Sequence, residues 1–242
     1  MTKLLPALLL LLTALACAAQ GTWELFCHAP VVKAEETRML NRIRELLPGK
    51  PGGSTHAVPE ECKTPHDAQT LADAVDAGVT TLPCLVLRDD RGAYAALPLA
   101  GLSAETIARA QQLATAPDRE VQAARRKLAA RLYYLRALWQ LASTPEEQDK
   151  VIAACHEAIT RTGDDTATRQ HIGYYCLYPA LMQQYAAEYS GAHTPRTESK
   201  LLEAISALEE VRDADPESKL GRLAYDERER LRAARLQSRK YE

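Results

Sequence analysis

Residues 78–92, GVTTLPCLVLRDDRG, constrain the fold of this chain more than any other stretch. Gly78 to Thr81 has loop composition, and Pro83 stands at the entrance of an apolar run, Cys84 to Leu87, that reads as a buried strand. Asp89-Asp90-Arg91-Gly92 is then a tight turn, and residues 94–99 complete a hairpin. Upstream, residues 22–27 (TWELFC) form a second buried strand. Residues 33–47 place Met39, Leu40, Ile43, Leu46 and Leu47 on one helical face. The proline- and glycine-rich run 48–53 stops that helix. A weak strand at 55–58 and a helix over 65–77 follow, the latter with Leu71, Ala72 and Val75 on one side. Ser103 is a good N-cap for a closing helix.

This βαβαββα order, with a proline before the third strand, resembles the thioredoxin fold. The likeness spans residues 22–116 and is strongest over 67–113. It implies that Pro83 is a cis proline at the mouth of the sheet. It also implies where a redox dithiol would stand, between the first strand and the helix after it. That place is taken by Pro30-Val31-Val32-Lys33, and neither end is a cysteine. Without two thiols across one turn a mixed disulfide cannot be resolved internally, so dithiol exchange is lost. Two single thiols remain as catalytic candidates, Cys27 just before the first helix and Cys84 just after the proline. The plainer reading is a packed or bonded cysteine at Cys27 and a buried, packed thiol at Cys84.

From Pro117 the character changes. Strand signals vanish, and helices are expected over 118–141, 145–161, 166–189, 197–214 and 217–239. Thr144-Pro145-Glu146-Glu147 carries both a cap and a proline at the first helical position. Breaks fall at 163–165, 190–195 and 215–216. The fold class is therefore α/β plus all-α: residues 20–116 form a thioredoxin-like domain and 117–242 a domain of helical hairpins. Ala204, Leu208 and Pro216 stand as in the second helix of a tetratricopeptide repeat, which that segment resembles. The first-helix half of the motif is missing, and no period of about 34 residues recurs.

The amino terminus reads as a secretory signal over residues 1–19: Lys3, an apolar core from Leu4 to Leu12, then small residues. The apolar core is too short to span a bilayer. Cleavage fits after Ala16 or after Ala18; alternatively Cys17 is a lipidated cysteine, although Ala14-Leu15-Ala16-Cys17 is a poor lipobox. The expected location is outside the cytosol, in the periplasm or beyond, with a lipid anchor as the single route to the membrane.

Export permits disulfides among the five remaining cysteines, Cys27, Cys62, Cys84, Cys155 and Cys176. Cys155 and Cys176 flank the 163–165 turn on helices expected to run antiparallel, where a bond would stabilise the hairpin by about 2–4 kcal/mol. The alternative is two buried free thiols. The thioredoxin likeness brings Cys27 and Cys62 to neighbouring strand ends, and a disulfide there too. It also brings Cys27, His28, His56, Cys62, His66 and Cys84 toward one sheet edge. Sulfur and imidazole ligands could hold copper or zinc, and some exported thioredoxin-like proteins do bind copper. Their spacing is irregular, however, with no tight ligand pair.

A net charge of -2 gives no reason to expect nucleic acid. The basic residues Arg125, Arg126, Lys127, Arg131 and Arg136 share their helix with Tyr133, Tyr134 and Trp139. At helical spacing the aromatics read as a core face and the cations as a solvated one. Tyr174, Tyr175 and Tyr178 read as core packing, or as an aromatic groove for a partner. No phosphate loop, zinc-helix motif or nucleophile elbow is present. The sequence thus leads to an exported interaction or scaffold module with a protein or peptide partner and no cofactor. A single-cysteine oxidoreductase and a copper or zinc protein are the two other classes it leaves open.

Overall fold

The computed structural model describes residues 21–50, 53–189 and 194–238, so residues 1–19, read above as a secretory signal, and Cys17 lie outside the described residues. The chain divides into two compact units, Met1–Ala130 and Arg131–Glu242.

The first unit holds strands β1 (Trp23–His28), β2 (Thr55–Val58), β3 (Cys84–Asp89) and β4 (Gly92–Pro98). Its helices are α1 (Lys33–Leu46), α2 (Pro65–Asp76) and α3 (Ala104–Gln112), and α4 (Arg119–Leu141) begins in it. The strands form one mixed sheet in the order β2-β1-β3-β4. β1 is parallel to β2 and antiparallel to β3, and β3 is antiparallel to β4. The turn residue Gly92 has a left-handed backbone, φ 104°, which glycine alone adopts without strain.

Why β1 and β3 are apolar on consecutive residues follows from the two covered faces of the sheet. Trp23, Leu25, Cys27, Leu85 and Leu87 enter one core with Ile43 of α1 and Ile107 and Ala110 of α3. Phe26, Cys84 and Val86 enter another with Val58 and with Ala74 and Ala77, at the end of α2. The alternation of side chains along a strand makes this division unavoidable once Phe26 pairs with Cys84.

Polar ties close the unit. Arg119, at the start of α4, forms a two-pronged ion pair with Asp89 and donates to the carbonyls of Ala114 (2.9 Å) and Gly92 (3.1 Å). Arg126 donates to Ala93 O at 2.8 Å and to Asp76 O at 3.1 Å. The expectation of a uniformly solvated basic face on this helix is thus corrected: Arg125 and Lys127 are exposed, whereas Arg126 is half-buried against carbonyls that need a donor.

The second unit continues with α5 (Pro145–Thr160), α6 (Thr166–Ile172), α7 (Tyr178–Glu188), α8 (Pro195–Ala214) and α9 (Lys219–Ser238). Capping boxes begin α5 at Thr144 and α8 at Thr194, each followed by a proline whose missing N–H costs nothing there. The eighth helix therefore starts at Pro195, two residues earlier than its sequence suggested, because Thr194 rather than a later residue supplies the cap. Buried Gln170 donates to the carbonyls of Val211 (2.8 Å) and Asp215 (3.0 Å), satisfying the end of α8.

One element departs from the expected straight helix over 166–189. Between α6 and α7, residues Gly173–Leu177 form a π-helical turn. Pro179 supplies a reason: it has no N–H to offer the carbonyl of Tyr175, so the α-helical ladder is interrupted there. No described helix is long and apolar enough to cross a membrane.

Candidate functional site

Two places in the molecule gather the chemically distinctive side chains. The first is the end of the sheet where β1 and β2 finish and β3 begins. The Ala29–Pro30 and Leu82–Pro83 peptides are both cis. Ala29 N donates to Val58 O at 2.9 Å, holding the loop after β1 against β2. Val32 occupies the N-cap position of α1 and has no side chain that could serve as a cap or nucleophile.

The cysteines around this edge are separated by the pleat. Cys27 is buried in the core beneath α1 and α3, and Cys84 in the core beneath α2. Burial pushes the Cys27 thiol up to about 11, and the nearby Glu36 carboxylate adds to that rise. Burial likewise pushes Cys84 up to about 11, against a small opposing effect of a backbone hydrogen bond at Leu97. Both are therefore protonated at neutral pH, the unreactive form of a thiol. Cys62 lies in the loop before α2, half-buried, with its Sγ 3.9 Å from Thr64 O. Desolvation and the Asp67 carboxylate raise its pKa as well.

All five described cysteines are free thiols, so neither Cys27–Cys62 nor Cys155–Cys176 is bonded in the structure. Cys27 points into a core, whereas Cys62 sits on a loop over a helix start. His28 is exposed, and His66 lies in the first turn of α2. His56 stacks on Phe26, ring centroids 4.6 Å apart, with its Nε2 3.6 Å from a Glu24 oxygen. Among the described residues no group of three or more His, Cys, Asp or Glu side chains is placed to hold a metal ion.

The second place lies within the helical unit; of the three tyrosines that the sequence offered as an aromatic groove, Tyr175 lines it, and Tyr174 and Tyr178 do not. A cavity of about 350 Å³ opens between α4, α5 and the π turn with α7. Its floor is apolar and buried, made by Leu135, Val151, Cys155, Cys176 and Ala180. Its rim carries Arg136, Gln140, Tyr175 and Gln183, all exposed, and half-buried Trp139 forms a wall. The Trp139 indole N–H donates to Gln183 Oε1.

The π turn explains the rim. With Pro179 unable to donate, the Tyr175 carbonyl is taken instead by Arg136 Nε at 3.4 Å. The same guanidinium lies 5.5 Å from the centroid of the Tyr175 ring, a cation–π contact. Among the described residues, Arg136 is the one charged side chain lining the cavity, and no carboxylate lines it. Tyr174 and Tyr178 do not line the cavity but pack against the core formed by α8 and α9; Tyr178, which also packs against the core holding Cys155 and Cys176, donates its Oη to Glu227 at 2.6 Å. The signal available in the sequence was Pro179 inside a helical pattern, nine residues of which include three tyrosines and a cysteine.

Comparison with protein-family models, with curated proteins and with solved structures finds no match for this chain.

Proposed function

We propose that this is an exported, non-redox binding protein whose first unit is a thioredoxin-like domain without the dithiol and whose second unit is a helical-hairpin domain that receives a protein or peptide partner. One observation carries the reading: Cys27 and Cys84 are buried on opposite faces of the sheet, each with its thiol pushed up to about 11. A thiol enzyme needs an accessible, stabilised thiolate, and an acid such as Glu36 beside Cys27 works against one. The thioredoxin-like part of the reading is supported by the strand order β2-β1-β3-β4, by the parallel β1–β2 pair crossed by α1, and by Pro83 at the entrance of antiparallel β3. Export is supported by the basic, apolar and small-residue order of residues 3–19.

The cavity of the helical unit is the binding site in this proposal. An apolar floor with one flat aromatic wall suits a buried side chain of the partner, and the polar rim suits its backbone. Arg136, without a carboxylate in the cavity wall, favours an acidic group nearby on the partner.

Two measurements test this. Native protein is assayed for reduction of insulin by dithiothreitol, where no acceleration over the uncatalysed rate is expected; turnover would overturn the reading. A photo-crosslinking amino acid at Tyr175 is then used in intact cells. A discrete adduct that disappears in Trp139→Ala is expected, and unchanged adducts in that variant would remove the cavity from the proposal.

A further inference from the structure

Cys155 and Cys176 come from different helical elements, yet they share one environment. Cys155 lies on α5, and Cys176 lies in the π turn that packs against it. Both belong to a single apolar core with Ile152, Ile172 and Leu177, and both help form the floor of the same cavity. The segment between them closes through the turn at Gly163, whose φ of 55° reverses the chain. The cavity opens to solvent past Arg136 and Tyr175, which gives a small reagent a route to the sulfurs.

We propose that Cys155 and Cys176 are a cross-linkable pair, joined on exposure to a disulfide oxidant into an intramolecular bond that staples α5 to the π turn. The chemistry balances as ordinary thiol–disulfide exchange. The first thiolate attacks the oxidant's S–S bond, forming a mixed disulfide and releasing one oxidant thiol. The second cysteine, losing its proton, attacks the protein sulfur of that mixed disulfide and expels the other oxidant thiol. Two protein S–H bonds are replaced by one S–S bond, and the two electrons and two protons reduce the oxidant to two thiols.

Order and speed follow from the surroundings. Burial pushes Cys155 up to about 12, with the neighbouring Cys176 sulfur adding to the rise. Burial pushes Cys176 up to about 11, and the Arg136 guanidinium pulls against that. Cys176, 7% exposed against 1% for Cys155 and with Arg136 beside it, is the attacking thiol and Cys155 the resolving one. At neutral pH the step is slow. The product is a structural staple and not an exchange centre, so this inference is independent of the binding role assigned to the cavity.

The test uses the full folded chain, equilibrated with excess glutathione disulfide at mildly alkaline pH. Acid quenching, alkylation in denaturant, proteolysis and mass spectrometry then identify the partner of each cysteine. The expected product links the Cys155 peptide to the Cys176 peptide, with Cys27 and Cys84 still alkylated. In Cys155→Ser, Cys176 is expected to stop at the glutathione mixed disulfide. Reduction of the cross-linked protein lowers the melting midpoint of the helical unit by roughly 10 °C. Two fully alkylated thiols at equilibrium would overturn the proposal. So would a bond from either cysteine to Cys27, Cys62 or Cys84, or a bond that forms only after the chain has been unfolded.

Discussion

Replacing Arg119 with methionine removes the group that holds the β3–β4 hairpin to the segment entering α4. The Arg119 side chain is 6% exposed and that of Asp89 19%, so the charges are largely withdrawn from water. Truncation leaves Asp89 with the Arg91 N–H at 2.9 Å but without its counter-charge. It also deprives the Ala114 and Gly92 carbonyls of a donor and removes the cation 5.4 Å from the Tyr94 ring. Breaking a buried pair from one side costs about 3–5 kcal/mol. Because Asp89 keeps a backbone donor and some solvent, the lower figure, about 3 kcal/mol, is expected. Urea unfolding followed by Trp23 fluorescence, in a Trp139→Phe background, isolates the first unit. With a slope of about 1.5 kcal/mol/M the midpoint falls by roughly 2 M. Asp89→Asn in the same background restores part of the loss.

The pH dependence of that difference has a definite sign. The hydrogen bond and charge of Arg119 hold the Asp89 carboxyl below its ordinary value. The pair's stabilisation is therefore complete above the unfolded aspartate pKa, about 3.9, and is lost as pH falls through the lower folded value. The gap between wild type and Arg119→Met should be constant near neutrality and shrink below about pH 4. A midpoint shift under about 0.5 M, or a gap that grows on acidification, would refute the buried-pair reasoning.

Other substitutions probe the packing of the two candidate sites. A methyl group at Gly173 would lie 2.5 Å from Val211 Cγ2, so Gly173→Ala should destabilise the helical unit by about 1–3 kcal/mol, with relief in Val211→Ala, as read by thermal unfolding. Cys84→Ser buries a hydroxyl in an apolar core and should cost about 1–3 kcal/mol in urea unfolding, whereas Cys62→Ser on its loop should stay within about 0.5 kcal/mol.

What could be read from the sequence was what local patterning encodes. TWELFC and CLVL are apolar because their strands are covered on both sides, and the Asp-Asp-Arg-Gly turn between β3 and β4 is local chemistry. Even the weak strand at Thr55–Val58 forms, though only Val58 is buried, because backbone pairing with β1 holds it. The separation of Cys27 from Cys84 needed the register: once Phe26 faces Cys84, parity puts Cys27 on the other side. Arg119 and Asp89 are thirty residues apart, and nothing local announces such a pair. Of the cavity, the sequence showed Tyr175 as part of an aromatic groove, but not the floor, for a related reason. Its floor comes from three helical segments, and its rim depends on a π turn whose one sequence trace, Pro179, sits inside an otherwise regular helical pattern.

The most direct test of a binding protein without thiol chemistry is the pH profile of alkylation at Cys27 and Cys84 in the native state, resolved by mass spectrometry. Burial predicts labelling that stays far below that of a free thiol at neutral pH and climbs only as pH approaches about 11. A rapid, saturating reaction at either cysteine with a midpoint near or below neutrality would contradict it.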